Sequence, residues 1–297
     1  MAPNKLFCGT GVALVTPFRK QQETVDFTKL EHLIENIIAS GVDYIVALGT
    51  TSEAATMTDA ERSAVLEFII ETVAGRLPIM LGLGGNNTLY LTDSIARTNF
   101  DGINGLLSVT PYYNKPNQRG LISHYRILSE ASPVPVFIYN VPGRTGVNIT
   151  AETTLTLARE CPNIMGIKEA SGNLTQVMEI LRNRPAGFRV ISGDDALTYP
   201  MLTLGADGVI SVMANALPAQ MSAMVKAAMK GDLKKALPLH NKMLPLMHAI
   251  FEEGNPTGVK ALLEIEGLVN NVLRLPLVKS SKQLYNKLTT LYNEFQS

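Results

Sequence analysis

Eight short apolar segments recur along the chain, and their spacing constrains the fold more than any other feature of the sequence. Their starts lie roughly 20 to 35 residues apart, which is the length of one strand followed by one helix. Runs such as YIVALG and VPVFIYN do not alternate apolar with polar residues, which is typical of parallel strands buried on both faces. The predicted strands are 11–16, 44–49, 78–82, 105–110, 134–140, 164–168, 189–193 and 208–212.

Stretches with helical periodicity separate these strands, and several carry start and stop signals. Asp26, Thr58 and Thr150 each precede such a stretch, at the position where a side-chain oxygen caps the first helical turn. Gly41 and Gly75 follow two of the stretches, where a helix commonly ends in a left-handed residue. The pattern therefore predicts a strand–helix unit that is repeated eight times.

Eight such units predict an α/β fold, a closed (β/α)8 TIM barrel formed by residues 1–230. An open, doubly wound parallel sheet has the same periodicity and stays open as the alternative. The strand pattern stops after about residue 230. Residues 231–297 are predicted to form a C-terminal extension of three helices, near 232–252, 256–267 and 279–296.

Charge and cysteine content exclude several classes of protein. The 297 residues include 26 Lys and Arg against 26 Asp and Glu, so no net charge attracts the chain to nucleic acid or to an anionic membrane. Cys8 and Cys161 alone cannot build a disulfide scaffold. The first apolar run is interrupted by Gly9, Gly11 and Pro17, unlike a secretory signal, and no run approaches the length of a membrane helix. We therefore expect a cytoplasmic protein.

The sequence carries no pattern that indicates a metal or a cofactor. No His, Cys or carboxylate cluster has the spacing of metal ligands, and the glycine-rich segment 82–87 lacks the third glycine of a dinucleotide motif. Asp194 and Asp195 resemble paired acid and base groups, but they precede a helical stretch and are interpreted as a helix cap.

Lys168 is the most informative candidate for catalysis, because the active site of a (β/α)8 barrel lies at the carboxyl ends of the strands. Lys168 ends the sixth apolar segment, on the same strand face as Ile164 and Gly166. If that face points into the barrel, burial disfavours the charged ammonium, and a neutral amine can form a Schiff base with a ketone. The small Gly166 is expected to leave room for a substrate. A lysine that reaches out into solvent is the alternative.

Polar side chains at other strand ends complete the candidate site. Tyr139 and Tyr113 end or follow the fifth and fourth segments, and a phenol with a hydroxyl partner such as Thr51 can carry the proton transfers of a Schiff-base cycle. Thr50 and Thr51 follow Gly49 in a turn whose backbone N–H groups can hold a carboxylate. Arg144 is predicted to lie on a rim loop where it can bind a second carboxylate. Core tyrosines, a helix cap and a surface arginine are the alternative interpretations.

Three segments of the chain resemble the dihydrodipicolinate synthase / N-acetylneuraminate lyase family. They are GTTSE at 49–53, YNVPGRTG at 139–146 and GIKEASG at 166–172. The similarity extends from about Gly9 to the helical tail, so it covers nearly the whole chain. The family consists of class I aldolase-type barrels that use pyruvate. The YNVPGRTG segment and the pair Tyr112 and Tyr113 resemble the synthase branch more than the sialic acid lyases.

The resemblance implies a role for each candidate residue. Lys168 would form an imine with pyruvate, and Tyr139, Thr51 and Tyr113 would form a proton relay, with Tyr113 reaching into the site of a neighbouring subunit. The other implied contacts are with the two substrates: Thr50 and Thr51 would hold the pyruvate carboxylate, Arg144 would bind the carboxylate of L-aspartate 4-semialdehyde, and the backbone carbonyl of Ile210 would line the same pocket. Family members are usually tetramers built from two tight dimers.

One departure from the family pattern lies in the turn after the second strand. Ser52 replaces a glycine that is usual in the Gly-Thr-Thr-Gly-Glu turn, and a side chain there disfavours a positive φ.

A second departure concerns the lysine-binding site of feedback-inhibited members of the family. Asn86 and Tyr112 match that site, but Asp59 and Arg62 replace histidines and Tyr90 replaces a glutamate. We expect weak or absent inhibition by lysine, because an ammonium without a partner binds poorly in a partly buried site.

Three functions remain open from the sequence. The first is a synthase that joins pyruvate to L-aspartate 4-semialdehyde, which the cation of Arg144 favours because that aldehyde carries a carboxylate. The second is a lyase or aldolase of the same family that cleaves N-acetylneuraminate or a 2-keto-3-deoxy sugar acid. The third is a non-catalytic sensor of 2-oxo acids, which has no need of the complete relay.

Overall fold

The eight strands form a closed parallel barrel in the order β1 to β8. The computed structural model describes residues 6–20 and 24–297. Adjacent strands pair in parallel all the way round, and β1 pairs with β8 through Gly9 with Gly208 and Gly11 with Ile210, which excludes the open sheet. The strands are β1 Gly9–Ala13, β2 Tyr44–Ala47, β3 Ile79–Gly82, β4 Gly105–Val109, β5 Val136–Asn140, β6 Ile164–Glu169, β7 Arg189–Ser192 and β8 Gly208–Ser211. The predicted TIM barrel is confirmed.

Helices surround the barrel, and further helices follow it at the C-terminus of the chain. In the described residues they are α1 Phe27–Ala39, α2 Asp59–Val73, α3 Thr88–Arg97, α4 Gln118–Ala131, α5 Pro142–Thr145, α6 Ala151–Glu160, α7 Leu174–Asn183, α8 Asp195–Thr203, α9 Pro218–Met229, α10 Leu233–Ala249, α11 Thr257–Ile265 and α12 Lys282–Gln296. Asp26, Thr58 and Thr150 are N-caps, as predicted, and the side chain of each accepts a hydrogen bond from a backbone N–H of the first turn.

The first strand begins and ends earlier than the sequence predicts. Residues 14–16 are buried and apolar or β-branched like a strand. The backbone N–H of Leu14 still donates to Val46 of β2 at 3.1 Å, but that of Val15 donates to the Asn215 side chain, 3.0 Å away. The prediction of 11–16 was therefore wrong at both ends. Gly9 and Thr10 also pair with β8, and at the other end burial alone does not distinguish a strand from the buried segment that follows it.

The three helices of the C-terminal extension pack on one side of the barrel. α10 lies against α8 and α9, and α12 packs on both α10 and α11. Lys260, Glu53 and Asn255 connect this extension to the carboxyl ends of the strands. The division of the chain into residues 1–230 and 231–297 stays a prediction.

In the parts of the chain that the structure describes, no helix is both long and apolar enough to cross a membrane.

Candidate active site

A cleft of about 1440 Å³ opens at the carboxyl ends of the barrel strands. Five of the predicted site residues line it together: Thr50, Thr51, Tyr139, Arg144 and Lys168. They come from the segment after β2, from β5, from α5 and from β6. Parallel strands that all point the same way bring these distant segments to one end of the barrel.

Lys168 lies on the inner face of β6, where only 6% of the residue is exposed. In the register of the barrel it pairs with Tyr139 of β5, and its Nζ lies 4.1 Å from the centroid of the Tyr139 ring. The structure therefore contradicts the alternative of a lysine that reaches into solvent. A buried primary amine beside a phenol is a suitable nucleophile for a carbonyl substrate.

Gly193, and not Gly166, provides the space around Lys168. A Cβ atom on Gly193 would lie 2.9 Å from the Lys168 Cε and 2.7 Å from the Cβ of Ala170. A Cβ on Gly166 would instead meet the ring of Phe137 at 2.6 Å. The expectation that Gly166 leaves room for a substrate was wrong, because the Phe137 side chain fills that space.

The turn after β2 is a 3-10 turn, Thr50–Ser52, and a second 3-10 turn follows at Ala54–Thr56. Ser52 needs no positive φ, and its hydroxyl and backbone N–H both donate to the carbonyl oxygen of Gly49, at 2.7 and 3.2 Å. The left-handed conformation falls one residue later, at Glu53, with φ 59° and ψ 32°. The serine is thus accommodated within the turn.

Asn255, between α10 and α11, connects two of the predicted site residues. Its side-chain amide donates to the Thr51 hydroxyl oxygen at 3.0 Å, and its backbone carbonyl accepts from the Arg144 guanidinium at 3.4 Å. Thr51 is buried, whereas Thr50 and Arg144 are exposed at the rim of the cleft. The hydroxyl and the guanidinium are therefore oriented from the same point on the C-terminal extension.

Two of the predicted site residues do not line the cleft of their own chain. Tyr113 is 89% exposed and has a left-handed backbone conformation with φ 73°, whereas its neighbour Tyr112 does line the cleft. Ile210 is buried within β8, and Val212 is the nearby residue that lines the cleft. The roles predicted for Tyr113 and Ile210 stay predictions.

The two adjacent aspartates have structural contacts. Asp194 caps α8 and accepts from the backbone N–H of Leu197, as predicted. Asp195 is buried and accepts from the backbone N–H groups of Val212 and Met213 at 3.0 and 2.9 Å, so it fixes the segment that follows β8. Desolvation raises the pKa of Asp195 to about 6, although these hydrogen bonds oppose the shift.

A buried network of amides fixes the end of β6 behind Lys168. Glu169 points away from the cleft and accepts hydrogen bonds from the side chains of Asn140 and Gln176 and from the backbone N–H of Ser171. Neutral donors therefore satisfy this buried carboxylate, and they hold the strand that carries the amine.

Several residues at this site were missed by sequence reasoning. The segment 254–256 indicates only a break between two helices, and nothing there suggests that Asn255 reaches Thr51. Glu53 and Lys260 form a buried ion pair across more than 200 positions of sequence. Such a contact leaves no local pattern in a single sequence. Within residues 6–20 and 24–297, no group of three or more His, Cys, Asp or Glu side chains is placed to hold a metal ion.

Comparisons with known proteins agree with the fold of this chain. The model of the dihydrodipicolinate synthetase family matches residues 6–294. A 4-hydroxy-tetrahydrodipicolinate synthase of Phocaeicola vulgatus is 48% identical over 288 residues, which are 97% of each chain.

Two solved structures have the same fold over nearly their full length. The dihydrodipicolinate synthase of Thermotoga maritima superposes with a TM-score of 0.95 at 39% identity, covering 98% of this chain and 99% of that one. The enzyme of Acinetobacter baumannii, solved in complex with pyruvate, gives a TM-score of 0.94 at 39% identity, with 97% and 99% of the two chains covered. From the barrel, the buried amine and these similarities together it follows that the chain belongs to the dihydrodipicolinate synthetase family.

Proposed function

We propose that this chain condenses pyruvate with L-aspartate 4-semialdehyde to give 4-hydroxy-tetrahydrodipicolinate, a step of diaminopimelate and lysine biosynthesis. The observation that carries the proposal is the buried Lys168 amine next to Tyr139, in a cleft that also contains Arg144. Membership of the family and relatives named 4-hydroxy-tetrahydrodipicolinate synthase support this reaction over the other two functions.

The first half of the reaction forms an imine. The Nζ of Lys168 attacks C2 of pyruvate, and the two protons that the amine loses leave with the ketone oxygen as water. The Nζ of Lys168 lies 4.1 Å from the centroid of the Tyr139 ring, and this proximity supports Tyr139 as the group that carries these protons to and from the reacting atoms. Thr51 is the hydroxyl partner of Tyr139 in the relay, and the backbone of the Thr50–Thr51 turn holds the pyruvate carboxylate.

The second half of the reaction forms a carbon–carbon bond and releases the enzyme. The imine nitrogen takes up a proton and the pyruvate methyl group loses one, which gives an enamine. The enamine carbon then attacks the aldehyde while the aldehyde oxygen takes up a proton. The amino group of the semialdehyde then attacks the imine carbon, closes the ring and displaces Lys168 as the free amine. Arg144 binds the carboxylate of the semialdehyde at the rim, where its guanidinium is exposed.

A second copy of this chain completes the site in this proposal. Tyr113 is almost fully exposed, and the large apolar side chains of Leu89 and Tyr90 are also exposed, at 71% and 52%. Exposed tyrosine and leucine side chains favour contact with another protein surface. We therefore assign Tyr113 to the relay of a neighbouring subunit within a tight dimer, and two such dimers to a tetramer.

The proposal places the enzyme in the cytoplasm. Cys8 and Cys161 are both free thiols, which agrees with a reducing compartment.

A parallel-substrate assay tests the proposed function. The purified enzyme is offered pyruvate with L-aspartate 4-semialdehyde in one reaction and N-acetylneuraminate or a 2-keto-3-deoxy sugar acid in others. We expect turnover of the semialdehyde and none of the sugar acids. Turnover of a sugar acid alone would contradict the synthase and favour the lyase. Pyruvate binding with no turnover of any substrate would favour the sensor.

A further inference from the structure

The proton-relay residue Thr51 lies two positions before a buried ion pair to which the mechanism assigns no role. Glu53 follows the 3-10 turn directly, and its carboxylate accepts a hydrogen bond from the Lys260 ammonium at 2.5 Å. Both side chains are completely buried. The second carboxylate oxygen accepts from the backbone N–H of Arg274 at 3.0 Å. The donors therefore come from α11 and from the segment between α11 and α12.

Lys260 is held tightly on its own side of the contact. Its ammonium also donates to the carbonyl oxygen of Val272 at 2.9 Å and lies 4.1 Å from the centroid of the Phe18 ring. Desolvation lowers the pKa of Lys260 to about 8, and the neighbouring Glu53 carboxylate opposes this shift. The ammonium is thus fixed by a carboxylate, a carbonyl and an aromatic face.

An ion pair in such a place contributes little net stability. The free energy lost when two charges leave water offsets most of their attraction, and apolar replacements of a buried pair are often neutral or stabilising. What such a pair does supply is a fixed position for the backbone on either side of it. That backbone includes Glu53 itself in the left-handed conformation, which a non-glycine residue keeps only when its surroundings hold it there.

The same extension also contacts the turn at a second point. Asn255 donates to the Thr51 hydroxyl oxygen, so the extension contacts both the relay hydroxyl and the residue that ends the turn. Two contacts from the C-terminal extension, one to the Thr51 hydroxyl and one to Glu53, thereby hold the Thr51 side chain.

We propose that Glu53 and Lys260 are positioning residues, which hold the Thr51 hydroxyl in the geometry that proton transfer requires. The C-terminal extension is then a working part of the active site. This inference rests on the proposed function, because Thr51 has its relay role only in that reaction.

The test is a mutant cycle. The double variant Glu53→Gln/Lys260→Met removes both charges and nearly preserves side-chain length, so no buried charge is left without a partner. We expect it to fold and its kcat to fall by about 10- to 100-fold, the loss typical of a small displacement of a catalytic group. The KM for the semialdehyde, which depends on Arg144, is expected to change by less than about twofold.

The decisive comparison places the same double variant in the background Thr51→Val. If the pair acts through Thr51, the double variant causes no further loss of kcat there, whereas a general structural role would lower kcat again by a similar factor. The matched control is the exposed pair of Glu35 with Arg76, replaced as Glu35→Gln/Arg76→Met, which is expected to keep the wild-type kcat.

Three other results would overturn the positioning role of Glu53 and Lys260. A double variant with wild-type kcat, or an equal loss with and without the Thr51 hydroxyl, overturns the proposal, and so does a Thr51→Val enzyme with wild-type kcat. If the double variant fails to fold, Glu53→Asp keeps the charge but shortens the reach, and the same loss and the same lack of additivity are expected. A wild-type enzyme without condensation activity would instead contradict the proposed function. The mutant cycle is then measured by the rate of imine formation with pyruvate.

Discussion

Gly193 shows how much a single missing side chain matters beside a buried amine. The Lys168 side chain occupies the space where a Cβ on residue 193 would be placed, as close as 2.9 Å. The Cβ of Ala170 would be closer still, at 2.7 Å. Contacts below 3.0 Å force one of the groups to move, and the flexible lysine side chain moves more easily than the short side chain of Ala170. A side chain at residue 193 is therefore expected to displace the Lys168 side chain.

The first prediction concerns Gly193→Ala. We expect kcat to fall by about 10- to 100-fold, because the amine is displaced from Tyr139, and the free energy of unfolding to fall by about 1–3 kcal/mol through overpacking. Steady-state kinetics and thermal unfolding measure the two effects. Gly120→Ala is the control, since the nearest atom to its new Cβ is 3.4 Å away. A Gly193→Ala enzyme with wild-type kcat would show that a side chain at residue 193 does not displace the Lys168 amine.

The second prediction concerns the residues that replace a lysine-binding site. Arg62 forms an ion pair with Asp59 on the same helix, and Tyr90, which lines the same cleft, provides no carboxylate. Lysine at low-millimolar concentration is therefore expected to inhibit the reaction weakly or not at all. The combined variant Asp59→His/Arg62→His/Tyr90→Glu is expected to gain inhibition, and a wild-type enzyme that lysine inhibits strongly would refute this account.

At the scale of elements, the contact between α3 and α4 contains a buried histidine. His124 of α4 is 4% exposed, and its Nδ1 lies 2.8 Å from the hydroxyl of Thr88 in the first turn of α3. Desolvation lowers the pKa of His124 from 6.5 to about 4. The unfolded chain therefore binds more protons than the folded one between these two pH values, and acid favours unfolding there.

The third prediction gives the sign of this effect. The contribution of His124 to stability is fully present above pH 6.5 and is lost as the pH falls towards 4. We expect the free energy of unfolding of the wild type to fall over this interval by up to about 3 kcal/mol more than that of His124→Gln. Denaturant titrations at several pH values measure it, with the exposed His32→Gln as a control. Parallel curves for the wild type and His124→Gln would contradict it.

Elements could be predicted from the sequence where their signals are local. A strand such as β5 has a run of buried side chains, and α2 begins at a threonine that forms a capping box with Glu61, so both are visible in a short window. The limits of β1 were not predictable, because hydrogen bonding between distant segments sets them. The same reason hides the partners of Thr51 and Glu53, which lie more than 200 positions away. The position of Lys168 at a strand end could be predicted, but the contact of Gly193 with its side chain could not.

At the scale of the whole molecule, the exposed Tyr113 is the main sign that one chain is not the complete enzyme in the proposed reaction. A tyrosine that is 89% exposed cannot relay a proton inside a cleft that it does not line. In the proposal, a neighbouring copy brings this phenol to the amine of the first chain.

The fourth prediction is complementation between two inactive variants. Lys168→Ala keeps Tyr113 but has no amine, and Tyr113→Phe keeps the amine but has no phenol to offer a partner. If Tyr113 acts in the neighbouring site, mixed oligomers refolded from both variants are expected to recover up to half of the wild-type activity per dimer. No recovery in mixed oligomers of confirmed composition would place the role of Tyr113 within its own chain, or remove it from the reaction.

The central claim is that the buried amine of Lys168 forms a covalent imine with pyruvate, and reductive trapping tests it most directly. The enzyme is treated with borohydride in the presence and absence of pyruvate, digested and examined by mass spectrometry, with Lys168→Ala as the control. We predict that one reduced pyruvate is attached to Lys168, that no other lysine is modified in this way, and that the variant carries no adduct. An intact Lys168 under these conditions, or an adduct on a different lysine, would contradict the account.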